Sequence, residues 1–592
     1  MAVGAGGALV KREVLGAARR SSLVSTYGVG SILPVKDDSV MVCGLDEWPR
    51  VWESDLIDEP RLAANLGVEK LRSPATGRKD GDVPVVRFPE WGFCTHCRRL
   101  GPTWDLTRQG SRRCRVCREG TIAPSRFVIC CRRGHIDDFP YRAWAHEGRD
   151  SSDCARAPMW LRSRGKSSAL GDLFVKCECG ARRSLQNVFQ GGSLRGIRSC
   201  HGRMPWLPGA PPAECSEGVR TLQRGSSNVW FAMTRSAISI PQVESPAVRF
   251  VREKFDPDDL EDDAPSAEVV KYLKPPPGAT RQEMAAALDE LRGRRARNSL
   301  APTEADLRAE EYRALCAGMN DESTSALFLC EEVDLVGSDI REEVAQVSRV
   351  GRLREVSALH GFTRIVPGSG EDAESEVPVV ALSQHPTRWL PATEVLGEGI
   401  FIRLDNAAIE SWEEQELART RTDLLDRARS WIAPGSLMAD TRVTARSLLL
   451  HSLAHILIDE LALTSGYSAS SLRERIYDHE EQAGILIYTA SADSAGSLGG
   501  LAAQSEALRM RSVLESALRR ALWCTTDPVC IESKSSGVNG LNLAACHACL
   551  LVPETSCERF NSGLDRAVLV GIPNEHGAIV GGFFGSWLRK IL

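Results

Sequence analysis

The 592-residue sequence lacks several features that would fix a function at once. No uninterrupted apolar run approaches the roughly 18–20 residues that cross a bilayer, so a membrane-embedded class is not expected. The opening stretch, Met1 to Val10, has neither the basic start nor the long apolar core of a signal peptide, which predicts a cytoplasmic chain. Positive charge is not in excess either. With 73 Lys and Arg against 78 Asp and Glu, the formal charge is −5, so any DNA contact must come from a local patch or through a partner. The glycine-rich stretch Ser494 to Gly500 is neither a Walker A loop nor GxGxxG and no lysine follows it, which argues against an ATPase motor. The HExxH and deaminase spacings are missing where cysteine, histidine and carboxylates crowd together, between Pro124 and His146.

What the chain does have is cysteine, 19 in all. In a reducing compartment these are better explained by metal than by disulfides. Cys94-Thr-His-Cys97, sixteen residues, and Cys114-Arg-Val-Cys117 carry ribbon-type spacing for a four-cysteine zinc site. A second set is Cys177-x-Cys179, twenty residues, Cys200, fourteen residues, and Cys215, with glycines just after Cys179 and near Cys200 to make the turns. The third lies near the end: Cys530, fifteen residues, Cys546-x-x-Cys549, seven residues, Cys557, with Cys524 in reserve should Cys530 point away. About three structural zinc ions are therefore expected.

Other groupings have two readings each. Cys131, His135 and Asp137 or Asp138 form a candidate catalytic or metal centre, although a Gly134 turn anchored by Phe139 and Trp144 is the plainer reading. Arg220, Arg224 and Asn228 beside Trp230 combine groups that grip phosphate and stack on bases, yet the same segment suits a strand with core aromatics. His451, His455 and Asp459 fall on one helical stripe by their four-residue spacing. That helix is so apolar that the stripe reads as an internal hydrogen-bonded seam rather than a metal site, with Ser452 where a zincin has glutamate. Glu398, between two glycines, is a candidate acid or backbone clamp.

The expected architecture is a multidomain α+β or mixed α/β fold. Residues 1–90 form a strand-containing segment, and residues 91–240 a zinc-rich region of two ribbon-like, four-cysteine modules. Residues 241–335 hold an acidic linker and helices, the helices reading from apolar steps around Met284 and Leu307. Residues 336–592 form a C-terminal α/β domain closed by the last four-cysteine site. Within it Leu396 to Leu404 reads as a turn and a buried strand, Gly484 to Tyr488 as a central strand, and Leu501 to Leu522 as an amphipathic helix.

Gly484-Ile-Leu-Ile-Tyr488, Gly499-Gly500, the terminal cysteines and Asn561 with Leu564-Asp-Arg566 resemble the C-terminal zinc-binding domain of MrfA-type DNA-repair helicases. His451-Ser-Leu-Ala-His455, Glu474-Arg-Ile-Tyr477, Gly397-Glu-Gly-Ile-Phe401 and Ala544-Ala-Cys-His-Ala-Cys549 are similar more specifically to the DrmB family of the DISARM anti-phage system. The resemblance covers most of the chain and is weakest over 240–340. It implies a non-motor subunit that binds a DrmA-like, SNF2-type helicase and engages phage DNA in a system that also carries a methyltransferase. It supplies no catalytic residue. A zinc-dependent nuclease or hydrolase built on Cys131, His135 and Asp137 or on the His451 stripe is the competing expectation.

Overall fold

The computed structural model describes residues 14–592 except 37, 50–54, 76–80, 109–110, 150–151, 166–168, 241–246, 248–249, 252–253, 256–264, 278, 298–301, 320–326, 336–337, 367–377, 431–442, 480, 490–498, 538–539 and 574–578. The acidic stretch Asp256 to Asp263 and most of the glycine-rich turn after Asp493 lie outside the described residues, as do the side chains of the basic run Arg292 to Arg297.

The chain folds as a mixed α/β protein with several sheets. The largest sheet is built on β1 (Phe231–Ile238), β2 (Val344–Thr363), β3 (Trp389–Leu404), β4 (Leu472–Tyr477) and β5 (Gly484–Thr489), in the order β1-β2-β3-β5-β4. All of these neighbours pair antiparallel, while the short N-terminal strand Lys70–Arg72 joins the start of β3 in parallel. β4 and β5 are almost continuously buried because helices cover one face and other chain segments the other.

Leu396 to Leu404 does not begin with a turn. It is one uninterrupted stretch of β3, and its glycines serve close approach. A Cβ on Gly397 would meet the Thr489 carbonyl oxygen at 2.4 Å and one on Gly399 the Ile487 carbonyl oxygen at 2.6 Å. Glu398, between them, is fully buried and acts as a clamp. Its carboxylate accepts from Tyr467 Oη (2.9 Å) and from the backbone N–H groups of Leu501 (3.2 Å) and Ala502 (3.4 Å). It thereby caps the short helical turn Ala502–Ser505 that precedes the helix Ala507–Ala521.

Against this sheet lies α1, Ala445–Ser465, apolar on every face. Thr444 starts it by accepting from Ser447 N, and Gly466 in the left-handed conformation (φ 81) stops it. It is the helix among the described residues that is long and apolar enough to cross a membrane, and 78% of that stretch is buried within the protein. Apolar all round means enclosed, and here the protein itself does the enclosing.

Three further sheets among the described residues build the N-terminal half, one of them made of Ile32–Val35, Asp38–Val42 and Val85–Arg87. Six antiparallel strands run in the spatial order Arg182–Ser184, Leu173–Cys177, Met159–Ser163, Arg99–Pro102, Trp91–Cys94 and Ile122–Pro124. Phe127–Cys130 sits between Ile136–Asp138 and Arg220–Gln223. Arg364, fully buried, joins these parts: its guanidinium donates to the carbonyls of Gly134 (2.8 Å), Val229 (2.6 Å) and Gly30 (2.8 Å).

The helix Glu304–Ala317 is attached to the large sheet by a buried ion pair. Glu311 takes Arg475 Nε and Nη2 at 2.7 and 2.8 Å, and also accepts from Tyr477 Oη and Ile238 N. Removing one member leaves the other charged and dry. Glu311→Ala is therefore expected to cost about 3–5 kcal/mol of stability in chemical denaturation, whereas Glu342→Ala, whose pair with Lys590 is exposed at both ends, should leave stability nearly unchanged.

Candidate metal centres

Among the described residues five groups of ligand-type side chains converge, each with its donor atoms within 4.8 Å of one another. None of the nineteen cysteines, all of them among the described residues, is in a disulfide.

The first group is Cys94, Cys97, Cys114 and Cys117, the set expected from the spacing. Cys94 ends a strand, and the backbone N–H groups of His96 and Cys97 point at its sulfur (3.4 Å each). The residue after each knuckle, Arg98 and Arg118, has positive φ (63 and 65), which turns the chain back toward the site. Gly120 is held to hydrogen because a Cβ there would lie 2.6 Å from Cys94 Sγ. Amides of Gly120 and Glu119 pull the Cys117 thiol down to about 5, so it is a thiolate at neutral pH. His96 stays outside, paired with Glu119 at the surface.

The second expected set does not assemble as one site. Cys177 and Cys179 meet His146 and Cys154, whereas Cys200 and Cys215 meet Cys131 and His135. The reason is topological. Cys177 ends a strand of the six-stranded sheet, beside the helix Tyr141–Ala145 that delivers His146. Cys131 and His135 lie in the tight connection between Phe127–Cys130 and Ile136–Asp138, across which the 200–215 loop folds. His135 Nδ1 is 3.4 Å from Cys131 Sγ and 3.6 Å from Cys200 Sγ. In the other group His146 Nε2 is 3.3 Å from Cys179 Sγ, and its Nδ1–H donates to the Arg142 carbonyl (2.8 Å), which leaves Nε2 as the free lone pair.

Asp137 and Asp138, grouped with Cys131 and His135 from the sequence, take other work. Asp137 binds Arg198 and Arg203, both at 2.9 Å. Asp138 receives the backbone N–H groups of Trp91 and Glu90, and burial raises its carboxyl to about 7.

Near the C-terminus the four clustered thiols are Cys524, Cys530, Cys546 and Cys549. Cys530 keeps its expected place, and Cys524 takes the one expected of Cys557. Asp527 organises this loop by accepting from Cys524 N (2.8 Å) and Ile531 N (3.1 Å), and it pairs with the fully buried Arg566. Next to Arg566, Asp565 receives Arg421 in a bidentate pair and the amides of Ala544 and Ala567. The Leu564-Asp-Arg566 phrase is thus the brace of the cysteine loop.

Cys557 goes instead to His451, His455 and Glu474. Asp459, the third member of the helical stripe, lies outside this group; Glu474 on β4 takes that position.

The donor sets fit zinc. Tetrahedral zinc thiolates with bonds of about 2.3 Å place their sulfurs roughly 3.8 Å apart. The S···S separations are 3.6 Å (Cys94–Cys117), 3.8 Å (Cys97–Cys114), 3.5 Å (Cys524–Cys546) and 3.7 Å (Cys530–Cys549 and Cys546–Cys549). Sets of four cysteines, or of three cysteines and one histidine, fill all four positions with protein, the arrangement of structural zinc. The other residues singled out from sequence are elsewhere. Arg220 is exposed on its strand, Arg224 is half-buried, and Asn228 Oδ1 accepts from Ser226 Oγ (2.7 Å) in the turn leading to Trp230, whose indole N–H donates to Val29 O.

The groups fall in or beside two regions that match known families. Residues 19–231, which carry the three N-terminal groups, match a domain of unknown function (DUF8724), and residues 453–550 match the MrfA Zn-binding domain. DISARM protein DrmB of Bacillus paralicheniformis is 32% identical over 565 residues, covering 90% of this chain and 97% of that protein. The chain belongs to the DrmB family. The MrfA-type match to this DrmB family member contains Cys524, Cys530, Cys546 and Cys549, and also His455 and Glu474.

The partition of the middle cysteines has a direct test. Metal counted per chain should fall by two in a Cys177→Ser, Cys200→Ser double variant and by one in a Cys200→Ser, Cys215→Ser double variant. A single site of Cys177, Cys179, Cys200 and Cys215 would lose one metal in both.

Proposed function

We propose that the chain is a non-motor, zinc-built cytoplasmic subunit of a DISARM-type anti-phage complex, which docks a DrmA-like SNF2-type helicase and helps it engage foreign DNA. The observation that carries this reading is the similarity to DISARM protein DrmB along nearly the whole of both chains. The cysteine-rich clusters support the scaffold half of it. Each provides four protein ligands, whereas a hydrolytic zinc keeps a position open for water. That is why the zinc nuclease is the weaker reading: Asp137, one of its candidate carboxylates, is engaged by two arginines.

A scaffold of this kind gains its rigidity from metal. Structural zinc contributes about 10–16 kcal/mol of apparent binding free energy in small domains, more than the roughly 5–15 kcal/mol by which whole domains are stable. Arg220, on an exposed strand position, and Arg224 are the side chains of the N-terminal half proposed to reach a DNA backbone once the helicase has presented it.

Co-expression with the helicase encoded beside it is expected to yield a complex that survives gel filtration at micromolar concentration, and Arg220→Ala should weaken DNA binding by the complex without dissociating it. Failure of the two chains to associate would remove the scaffold reading. Metal-dependent DNA cleavage by the isolated chain, abolished by His135→Ala or His451→Ala, would put the nuclease in its place.

A further inference from the structure

The enclosed group on α1 is unlike the other four. His451 and His455 stand one helical turn apart with their rings edge to face, centroids 4.5 Å apart. Glu474 comes from β4 and Cys557 from the C-terminal segment. The two histidines are fully buried, Glu474 is 3% exposed and Cys557 7%.

The hydrogen bonds around this group fix which atoms face inward. His451 Nδ1 lies 3.2 Å from the Gly563 carbonyl and His455 Nδ1 lies 2.7 Å from the Leu550 carbonyl. A carbonyl only accepts, so both Nδ1 atoms carry the proton and both Nε2 atoms turn a lone pair toward the centre. There they face a carboxylate and a sulfur: His451 Nε2 is 3.2 Å from Glu474 Oε1 and 3.2 Å from Cys557 Sγ, and His455 Nε2 is 3.5 Å from Glu474 Oε2. His455 Nε2 and Glu474 Oε2 are buried without a hydrogen-bond partner. Four electron-pair donors aimed at one another in a dry interior repel unless something positive lies between them.

The Cys557 sulfur is surrounded in the same way as that of Cys94. Two backbone N–H groups, from Arg559 (3.3 Å) and Asn561 (3.2 Å), point at its sulfur, and the turn that aims them carries positive φ at Phe560 (52) and Asn561 (56). A divalent cation balances one carboxylate and one thiolate, giving a neutral centre, the form in which a buried charge cluster is least costly. Tetrahedral bonds of about 2.0–2.3 Å to nitrogen, oxygen and sulfur imply edges of roughly 3.3–3.5 Å, close to the separations found.

We propose that His451 Nε2, His455 Nε2, Glu474 and Cys557 Sγ form a further closed metal site that holds zinc. The mixed nitrogen, oxygen and sulfur set selects zinc over magnesium or calcium, which take oxygen ligands. Full enclosure by four protein ligands makes it structural: it fastens α1 to β4 and to the segment after the last CxxC. The residue range that matches the MrfA Zn-binding domain, 453–550, contains His455 and Glu474 but neither His451 nor Cys557, so that likeness does not by itself assign this four-residue site.

The test counts zinc in the full-length chain by elemental analysis and native mass spectrometry. Glu474→Gln, which keeps the side chain's size, and Cys557→Ser should each hold one zinc fewer than the unaltered protein, while Asp459→Asn should hold the same number. Equal zinc in the unaltered protein and in Glu474→Gln and Cys557→Ser would overturn the proposal in favour of a proton-bridged histidine–glutamate seam. Should both variants fail to fold, cadmium-113 NMR of the unaltered protein decides. A single-thiolate site gives a resonance well upfield of the thiolate-rich ones; its absence in the fully loaded protein overturns the site. Neither measurement involves the helicase, so its outcome is separate from that of the docking reading.

Discussion

Burial of charge is the constraint on which this fold depends. The elements that hold the large sheet together carry side chains that a protein interior accepts only when paired: Glu311 with Arg475, Asp565 with Arg421, Arg364 on three carbonyls. Each pair joins segments far apart in sequence, and each would leave a dry, uncompensated charge if one partner moved. The interior therefore admits one register and few alternatives. The metal groups obey the same rule with sulfur in place of carboxylate: clustered thiolates repel, and only a cation makes the arrangement stable.

This explains which parts of the structure can be seen in the sequence. The Cys94/Cys97/Cys114/Cys117 group is legible because both knuckles are CxxC and the loop between them is short, so one element pair builds the whole site. The helix Ala445–Ser465 and the strand Gly484–Thr489 are legible as apolar runs of the right length. The middle cysteines are not, because spacing says which thiols are neighbours in the chain and nothing about which hairpin is folded over which. His146 and Cys154 complete a site with Cys177 and Cys179 only once the six-stranded sheet has brought them together. The donor types are present as a signal: Cys131 and His135 lack two ligands in their own stretch, and Cys177 with Cys179 lack two more.

Glu474 shows the limit most clearly. It sits on a strand among buried neighbours, with no cysteine near it in sequence, and only the packing of β4 on α1 directs it to the two histidines. The stripe His451, His455, Asp459 has correct helical geometry, yet the third position is settled by the neighbouring strand. Likewise the glycines flanking Glu398 suggest a turn by composition, and their actual reason, the approach of the β5 carbonyls, exists only in the sheet.

The arrangement of the sites along the chain has a mechanical consequence. The His146/Cys154/Cys177/Cys179 group lies wholly inside the loop closed by Cys131, His135, Cys200 and Cys215. The inner closure shortens the chain that the outer one must close, so each lowers the entropy cost of the other. At the other end, the Leu550 carbonyl that fixes His455 belongs to the residue directly after Cys549 of the all-thiol cluster. The wall of one cluster thus orients a ligand of the next, and a displacement of the cysteine loop is transmitted to α1 through this 2.7 Å hydrogen bond together with the apolar packing of Leu550.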